Sequence, residues 1–458
     1  MKLRKLTLAN YRGFDQFEIS FADDVTVIAG VNGVGKTGVL KALASALSLA
    51  LSEFTVSRES PRGLSDTDVQ SGKPGLSILV TLDLDSAQVT TDLNRPAPLP
   101  VDKVETLTKR RDDLRFARRE TKKGSKDEQE IIDEIRVIEN QLDPVSDIPT
   151  VHILPSDAAM DADELVAVLK KGRQQPFAVF YTTSRFLSRL PPMLPKTRKL
   201  DITTAYDKAL NQLEVSLNDF ASWYRVVVSD FAAATKERLF QQLEQAIKTF
   251  LPEVSDLTLH EGRPPRFSVI KSGQLLFLEQ LSDGERGLLA LVFDLTRRLA
   301  IANPDSDNPI AEGVALVLID EIELHLHPSW QRRVLRLLQN TFTRCQFVVS
   351  THSPQVIGQV KSEKLRLLHH NNSGKVVAAN ASQSFGMDSS WILQNIMGVP
   401  ARDYETEQRL SAVYQAIDED RLDEARTLAE QLRADIGDFP DLQEVSALLD
   451  RFELLRSE

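Results

Sequence analysis

Residues 30–37, GVNGVGKT, decide the fold of this chain. They fit the pattern GxxxxGKT and lie between an apolar strand-like segment ending at Ala29 and a segment with helical spacing from Lys36. In such a loop, glycines let main-chain N–H groups surround phosphate oxygens, and the helix N-terminus adds positive potential. We therefore expect a nucleotide site in which Lys36 reaches the outer phosphates and Thr37 binds Mg²⁺. Its cofactor-binding residues would be Gly30, Asn32, Gly33, Gly35, Lys36 and Thr37.

A second motif is VALVLIDE at residues 314–321, where an apolar run predicts a buried strand with two carboxylates at its end. Open α/β sheets bind ligands at that edge. Asp320 would hold Mg²⁺, and Glu321 would orient and deprotonate an attacking water. By itself such a pair can equally be a helix cap, but beside a phosphate-binding loop it is the expected second half of the site.

A third motif, LSDGER at residues 281–286, precedes an apolar helical segment. Ser282 and Asp283 would lie at its N-terminus, where main-chain amides can bind a phosphate. A plain capped helix is the alternative for this segment taken alone.

Composition limits the class of protein. The chain has 458 residues, 42% hydrophobic and 26% charged, with a net charge of −11 and a single cysteine, Cys345. These values predict two or three domains, or one large domain carrying insertions, with no internal disulfide and no general attraction to DNA or anionic lipid. The N-terminus lacks a signal sequence and no apolar run is long enough to cross a membrane, so we expect a cytoplasmic protein without membrane contact.

The expected fold class is α/β, a P-loop head split by a helical, coiled-coil-like insertion and followed by an all-α segment. We divide the chain into an N-terminal head lobe (1–98), a charged helical hairpin (99–145), a mixed and then all-α lobe (146–265), a C-terminal head lobe (266–400) and a helical segment (401–458). At residues 109–126, the hairpin carries nine basic against three acidic residues. This basic tip could contact nucleic acid, or could be a solvated arm with charges of both signs.

The succession GVNGVGKT, LSDGER, VLIDE and VVSTHS resembles the ATP-binding-cassette (ABC) ATPases, and LANYRGF near the N-terminus resembles their SMC and RecF branch. The resemblance implies ATP and Mg²⁺ as cofactors and two heads that enclose ATP between them. Residue by residue, it implies that Ser282, Gly284 and Glu285 form the signature that contacts ATP in trans. It further implies that His352 senses the γ-phosphate and that Arg12 lies near the nucleotide.

Some positions depart from the family pattern. The signature reads Ser-Asp-Gly-Glu where transporters usually have Ser-Gly-Gly-Gln, and the glutamine of the Q-loop has no secure counterpart. Residues 181–185, YTTSR, are the expected place for that sensing loop. His325 and His327 suggest a metal site, but no other ligand cluster accompanies them. His327 aligns instead with the D-loop at the dimer junction.

The segments DEIELHLHP and THSPQVI and the tail from residue 397 resemble the Septu-type antiphage ATPases, the PtuA family, which occur beside an HNH nuclease and with some retrons. This implies a slow ATPase that oligomerises through its heads and regulates the nuclease, with a retron reverse transcriptase and its RNA or DNA as further partners. The C-terminal helices would be the docking segment. The alternative is a RecF-like DNA repair and recombination clamp that binds DNA through residues 109–126. A transporter motor fits poorly because of the insertion.

Overall fold

The computed structural model describes residues 1–97, 100–121, 126–142, 150–157, 160–195, 200–211, 214–400 and 402–457. The chain forms two compact units, Met1–Gly386 and Met387–Glu458. The first unit contains the phosphate-binding loop, the signature and the acidic strand, and it ends at Gly386, before the boundary predicted at residue 400.

One sheet of the first unit has five strands in the order β2-β1-β4-β5-β6, and the recorded pairings are antiparallel. Side chains of β4 alternate between half-buried and buried, which leaves one face on the core and one towards solvent. The strands are β1 (Lys2–Tyr11), β2 (Phe14–Ser20), β4 (Gly75–Asp83), β5 (Ala87–Pro96) and β6 (Thr150–Pro155).

The second sheet has six strands in the order β14-β13-β3-β12-β11-β7, and only β14 runs antiparallel to its neighbour. Strands β3, β7, β11 and β12 are buried at every position, as strands covered on both faces require. This confirms the predicted parallel sheet. The strands are β3 (Val25–Ala29), β7 (Phe177–Tyr181), β11 (Ala315–Ile319), β12 (Gln346–Thr351), β13 (Leu365–His370) and β14 (Val376–Asn380).

Helix α1 (Lys36–Phe54) packs against strands of both sheets and joins them into one hydrophobic core. It is long and apolar enough to cross a membrane, but 78% of its apolar window is buried inside the fold. The Gln346 side chain adds a polar link, because its Oε1 accepts from Leu3 N at 2.7 Å and its Nε2 donates to Leu3 O at 2.9 Å. Helix α1 is therefore a core helix that brings the phosphate-binding loop to the edge of the second sheet.

The first unit also contains a third, three-stranded sheet and further helices. Helix α5 packs on helix α7, and helix α6 packs on strand β8. These two helices therefore do not form the all-α lobe that we expected. The elements are α4 (Ala162–Lys171), α5 (Leu217–Asp230), α6 (Ala233–Phe250), β8 (Val254–His260), β9 (Arg266–Lys271), β10 (Gln274–Phe277), α7 (Asp283–Ala302), α8 (Pro309–Glu312), α9 (Pro328–Gln331), α10 (Val334–Thr341) and α11 (Pro354–Ile357).

Helices α2 (Val101–Glu120) and α3 (Lys126–Leu142) pack against each other as a hairpin. Leu114, Ile135 and Ile138 are buried along the predicted seam, with Leu107 and Ile131 partly buried, whereas Val104 is exposed. Lys122, Lys123, the turn at Gly124 and Ser125, and the side chain of Leu142 lie outside the described residues.

The basic tip carries its own counter-charges. Arg110 pairs with Glu134 at 2.9 Å, Arg115 with Glu139 at 2.6 Å and Arg118 with Glu128 at 3.5 Å. Each ion pair joins an arginine of α2 to an acidic residue of α3. The hairpin surface is therefore a mixed-charge surface at these positions.

The second unit contains α12 (Ser389–Asn395), α13 (Tyr404–Asp418), α14 (Leu422–Ile436) and α15 (Pro440–Ser457). The last three confirm the predicted amphipathic helices, and Leu410, Val413, Leu432, Leu442 and Val445 are among the residues of their shared core. Phe452, predicted on the buried face of the last helix, is 40% exposed. The side chain of Leu455 lies outside the described residues.

Candidate functional site

The parallel sheet places the chemistry-bearing loops at one edge. Strands β3, β12, β11 and β7 are adjacent and parallel, so their carboxyl ends meet there. The phosphate-binding loop follows β3, Asp320 and Glu321 follow β11, and His352 follows β12.

Two glycines of the loop are required by close approach as well as by conformation. Gly30 has φ +152° and a Cβ there would lie 2.5 Å from Leu368 O. Gly35, with φ +108°, precedes α1, and a Cβ there would lie 2.6 Å from Phe14 Cζ. Only glycine meets both demands without displacing its neighbours.

Lys36 lies across this loop. Its ammonium donates to Gly30 O at 2.7 Å and to Val31 O at 3.0 Å, and its side chain is largely buried. Burial lowers the pKa of Lys36, while the carboxylates of Glu323, Glu321 and Asp320 raise it. The cation is therefore held over the loop that would receive phosphate.

Thr37 and Asp320 meet although 283 positions separate them in sequence. The Thr37 hydroxyl donates to Asp320 Oδ2 at 2.8 Å, and the Ser350 hydroxyl donates to Oδ1 at 2.5 Å. A hydroxyl and a carboxylate oxygen in contact are the hard oxygen donors that Mg²⁺ prefers. The residues present therefore fit the metal that the P-loop motif implies.

Glu321 has an unusual main chain, with φ +47°, in the left-handed region that few residues other than glycine adopt. Its N–H donates to Ser350 Oγ at 2.8 Å, and its side chain lines the cleft above the loop. Ser350, which the sequence did not single out, thus contacts both acidic residues.

The cleft brings together seven of the predicted residues: Arg12, Asn32, Gly33, Gly35, Lys36, Thr37 and Glu321. Arg12 is held there by Asp68, which accepts from its Nε at 2.7 Å. His370 and Val376, from the β13–β14 hairpin, also line the cleft, and no motif predicted them. Gly30 and Asp320 adjoin the cleft through their bonds to Lys36 and Thr37.

His352 lies outside the cleft lining and rests on Glu323. Its N–H donates to Glu323 Oε1 at 2.6 Å, and its Nδ1 lies 3.0 Å from the same oxygen. Glu323 is buried whereas the imidazole is 42% exposed, so the buried carboxylate fixes the main chain of His352. Sequence analysis missed Glu323, for which the one available signal was a second acidic residue three positions after Asp320.

The signature residues form the start of α7. Ser282 caps the helix, and its N–H and Oγ donate to Glu285 Oε2 at 2.9 and 2.8 Å. Lys271 Nζ lies 2.7 Å from the other oxygen of Glu285. A Cβ at Gly284 would lie 2.6 Å from His325 O, so this turn packs directly on the segment after Glu321.

The chain does not bring its signature to its own phosphate-binding loop. Within the described ranges, Ser282, Gly284 and Glu285 are absent from the residues that line the cleft. His327, assigned to the dimer junction, caps α9 by accepting from Ser329 N at 3.3 Å. Among the described residues, no group of three or more His, Cys, Asp or Glu side chains is arranged to hold a metal ion.

Two family models match the chain. Residues 1–148 match an AAA ATPase domain, and residues 188–358 match an AAA domain described as a putative AbiEii toxin of a type IV TA system. These matches agree with the geometry of the nucleotide site. The protein is an ATPase. Its motifs are similar to those of the SMC/RecF-like branch of the ABC ATPases.

This ATPase is similar to proteins of retron and Septu systems. It is 28% identical over 447 residues to the Retron Ec83 probable ATPase of Escherichia coli, covering 88% of this chain and 77% of the relative. It is 26% identical over 149 residues to the Septu protein PtuA of Bacillus thuringiensis, covering 29% of this chain and 38% of that one. The DNA replication and repair protein RecF of Oceanobacillus iheyensis is 47% identical over 55 residues, covering 12% of this chain and 15% of that protein. The chain is thus similar to ATPases of antiphage-associated families.

Proposed function

We propose that this ATPase is the nucleotide-controlled subunit of a bacterial antiphage system. In this proposal, Mg²⁺-ATP closes two copies head to head, and the nucleotide state regulates an associated HNH nuclease. Similarity to a retron ATPase over most of the chain, and to Septu PtuA over part of it, supports the biological setting.

The separation of the signature from the cleft carries the proposal of paired heads. In the described residues the cleft supplies the phosphate-binding loop and Glu321 but no signature residue. The N-terminus of α7, a helix of 20 residues capped by Ser282, provides positive potential for a phosphate on another copy. Two copies related by a twofold axis would each complete the other's site, and larger oligomers would add further pairs.

The proposed chemistry divides among residues at the sheet edge. Lys36 and the main chain of Gly33 and Gly35 hold the phosphates, and Arg12 contacts the nucleotide. Thr37 and Asp320 hold Mg²⁺, which when bound neutralises charge on the β- and γ-phosphates. Glu321 takes the proton of the attacking water. His352, whose main chain is bound by Glu323, senses the γ-phosphate. ATP turnover is slow in this proposal because the nucleotide state of the site controls the partner.

The second unit is the proposed docking segment for the nuclease. Its helices enclose their own core, yet Tyr404 is 74% exposed, Ile436 50% and Phe452 40%. A chain ending before residue 402 should still fold and bind ATP but lose the nuclease in pull-down. Retention of the nuclease by the shortened chain would contradict this assignment. A reverse transcriptase and its RNA or DNA are the further proposed partners.

A DNA clamp is the second candidate, and the similarity to RecF favours it. Its proposed contact surface is residues 109–126. The positive charge of this surface is reduced by the acidic partners of Arg110, Arg115 and Arg118. Exchange of Arg118 and Arg119 for Ala would reduce both DNA affinity and its salt dependence if the clamp operates. The defence proposal predicts no change.

The mass of the complex in solution tests the proposal. We expect Glu321→Gln to form a stable dimer, or a multiple of it, only with Mg²⁺-ATP, and Lys36→Ala to show no ATP-dependent change. Material purified from the native operon should carry a stoichiometric nuclease. A Glu321→Gln protein that stays monomeric while binding ATP would contradict the pairing of heads.

A further inference from the structure

A buried arginine lies directly behind the acidic residues of the site. Arg185 follows β7, and its side chain is 6% exposed. Its Nη1 donates to Asp320 O at 2.6 Å, and its Nη2 donates to Glu321 O at 2.6 Å and Ile322 O at 3.3 Å. One guanidinium therefore binds the carbonyls of three consecutive residues.

These carbonyls need a partner because the strand has already ended. Strand β11 stops at Ile319, and Asp320 N makes the last hydrogen bond to β7, to Tyr181 O at 2.9 Å. Glu321 then adopts φ +47°, a left-handed conformation that is unfavourable for a residue other than glycine. Buried carbonyl oxygens without hydrogen-bond donors would destabilise this turn further. The turn therefore depends on the donors that the Arg185 guanidinium supplies.

Two contacts hold the Glu321 main chain from opposite ends. Ser350 Oγ accepts from Glu321 N at 2.8 Å, and Arg185 Nη2 donates to Glu321 O. The guanidinium reaches the carbonyls of three consecutive residues through two nitrogens held in one rigid plane, a geometry that the single nitrogen of a lysine ammonium does not reproduce. With both ends of the residue fixed, Glu321 is held at the cleft that it lines.

We propose that Arg185 is a positioning residue for hydrolysis, which fixes the main chain of Glu321 so that its carboxylate faces the nucleotide cleft. This inference rests on the proposed role of Glu321 as the base. Arg185 acts through Glu321 and contacts no substrate.

The charge of Arg185 suits this role. Burial lowers its pKa to about 10, opposed by the carboxylates of Glu323, Asp320 and Glu321. The guanidinium therefore remains protonated at neutral pH, and all its donors stay available to the carbonyls.

Arg185→Lys tests the inference because it keeps a buried cation but loses the planar guanidinium. We expect kcat to fall about tenfold or more, since a displacement near 1 Å can cost ~100-fold, while KM and ATP affinity stay within about twofold. Arg189→Lys, at an exposed position of the same loop, is the matched control and should leave kcat unchanged.

A double-mutant cycle separates positioning from general structure. In a Glu321→Gln background, Arg185→Lys should cause no further loss of the residual turnover, because the residue through which it acts is already disabled. The same fold-loss in both backgrounds would overturn the inference. Melting temperature and ATP binding are recorded for every variant. An Arg185→Lys protein that neither folds nor binds ATP would also overturn it, since Arg185 would then serve stability.

The outcomes also distinguish this inference from the proposed function. Wild-type protein that binds but never hydrolyses ATP would contradict the proposed function and the role of Arg185 with it. Active wild-type protein with an equally active Arg185→Lys variant would contradict the role of Arg185 alone.

Discussion

Replacing Gly284 by alanine places a methyl group where the chain has no room. A Cβ there would lie 2.6 Å from His325 O and 3.3 Å from Trp330 Cζ3. Carbon and oxygen normally approach to about 3.3–3.6 Å, so the His325 segment must move by on the order of 0.7 Å. Such overpacking costs about 1–3 kcal/mol, partly offset by the roughly 1 kcal/mol by which alanine favours a helix over glycine. We expect a net loss of up to about 2 kcal/mol.

Gly287 is the matched control because it lies one turn later in α7, and a Cβ at that position would have no neighbouring heavy atom within 4 Å. Gly287→Ala should therefore stabilise the protein by about 0.5–1 kcal/mol. Urea unfolding, followed by tryptophan fluorescence, measures the free energy of unfolding of both variants. ATP-driven self-association measures whether the signature surface still binds a second copy. Gly284→Ala should also weaken that association, because the displaced segment leads into the proposed dimer junction. Equal stability of the two alanine variants would refute the argument.

Three further perturbations test the buried groups of the first unit. Asp294→Asn should lower the free energy of unfolding in urea by about 3–5 kcal/mol, because it removes the buried carboxylate that pairs with Arg297 at 2.7 Å and Arg298 at 2.8 Å. A loss below about 1 kcal/mol would contradict this. Glu323→Ala should lower kcat about tenfold with ATP affinity retained, since it removes the acceptor of the His352 N–H, and an unchanged kcat would argue against that support. Burial raises the pKa of Glu59 to about 7 from 4.5, so the folded state favours its protonated form, and the resulting stability is lost as pH rises through that range. The urea midpoint of Glu59→Gln should therefore rise relative to that of the wild type as the pH is raised from 5 to 8. A difference in midpoint that does not change with pH would refute the raised pKa of Glu59.

The sequence predicted the sheet edge because its signals are local. The apolar run before Asp320 indicates a strand buried on both faces, and the glycines at 30–37 indicate a tight loop before a helix. Parallel strands in such a sheet must present these loops on the same side. The contact of Thr37 with Asp320 follows from that topology, although neither segment alone specifies the distance.

The roles of residues that bind the main chain could not be predicted. The sequence indicated a sensing loop at residues 181–185, but it assigned no role to Arg185, because the carbonyls of residues 320–322 that Arg185 binds leave no trace in the residue types. Glu323 was hidden because its partner, His352, lies on the neighbouring strand's loop. The two alternatives for the basic tip stayed open because its acidic partners lie 10 to 24 positions away, across the hairpin, where only the register of two helices brings them together.

The claim that two copies complete each other's ATP site is tested most directly by mixing two inactive variants. Lys36→Ala removes the phosphate lysine and Ser282→Arg blocks the signature, so each homodimer should hydrolyse no ATP. A mixed dimer retains one site with an intact lysine and an intact partner signature. A 1:1 mixture should regain about a quarter of the wild-type ATPase rate, because half the dimers are mixed and each has one working site. A mixture of folded variants that stays inactive would contradict the account.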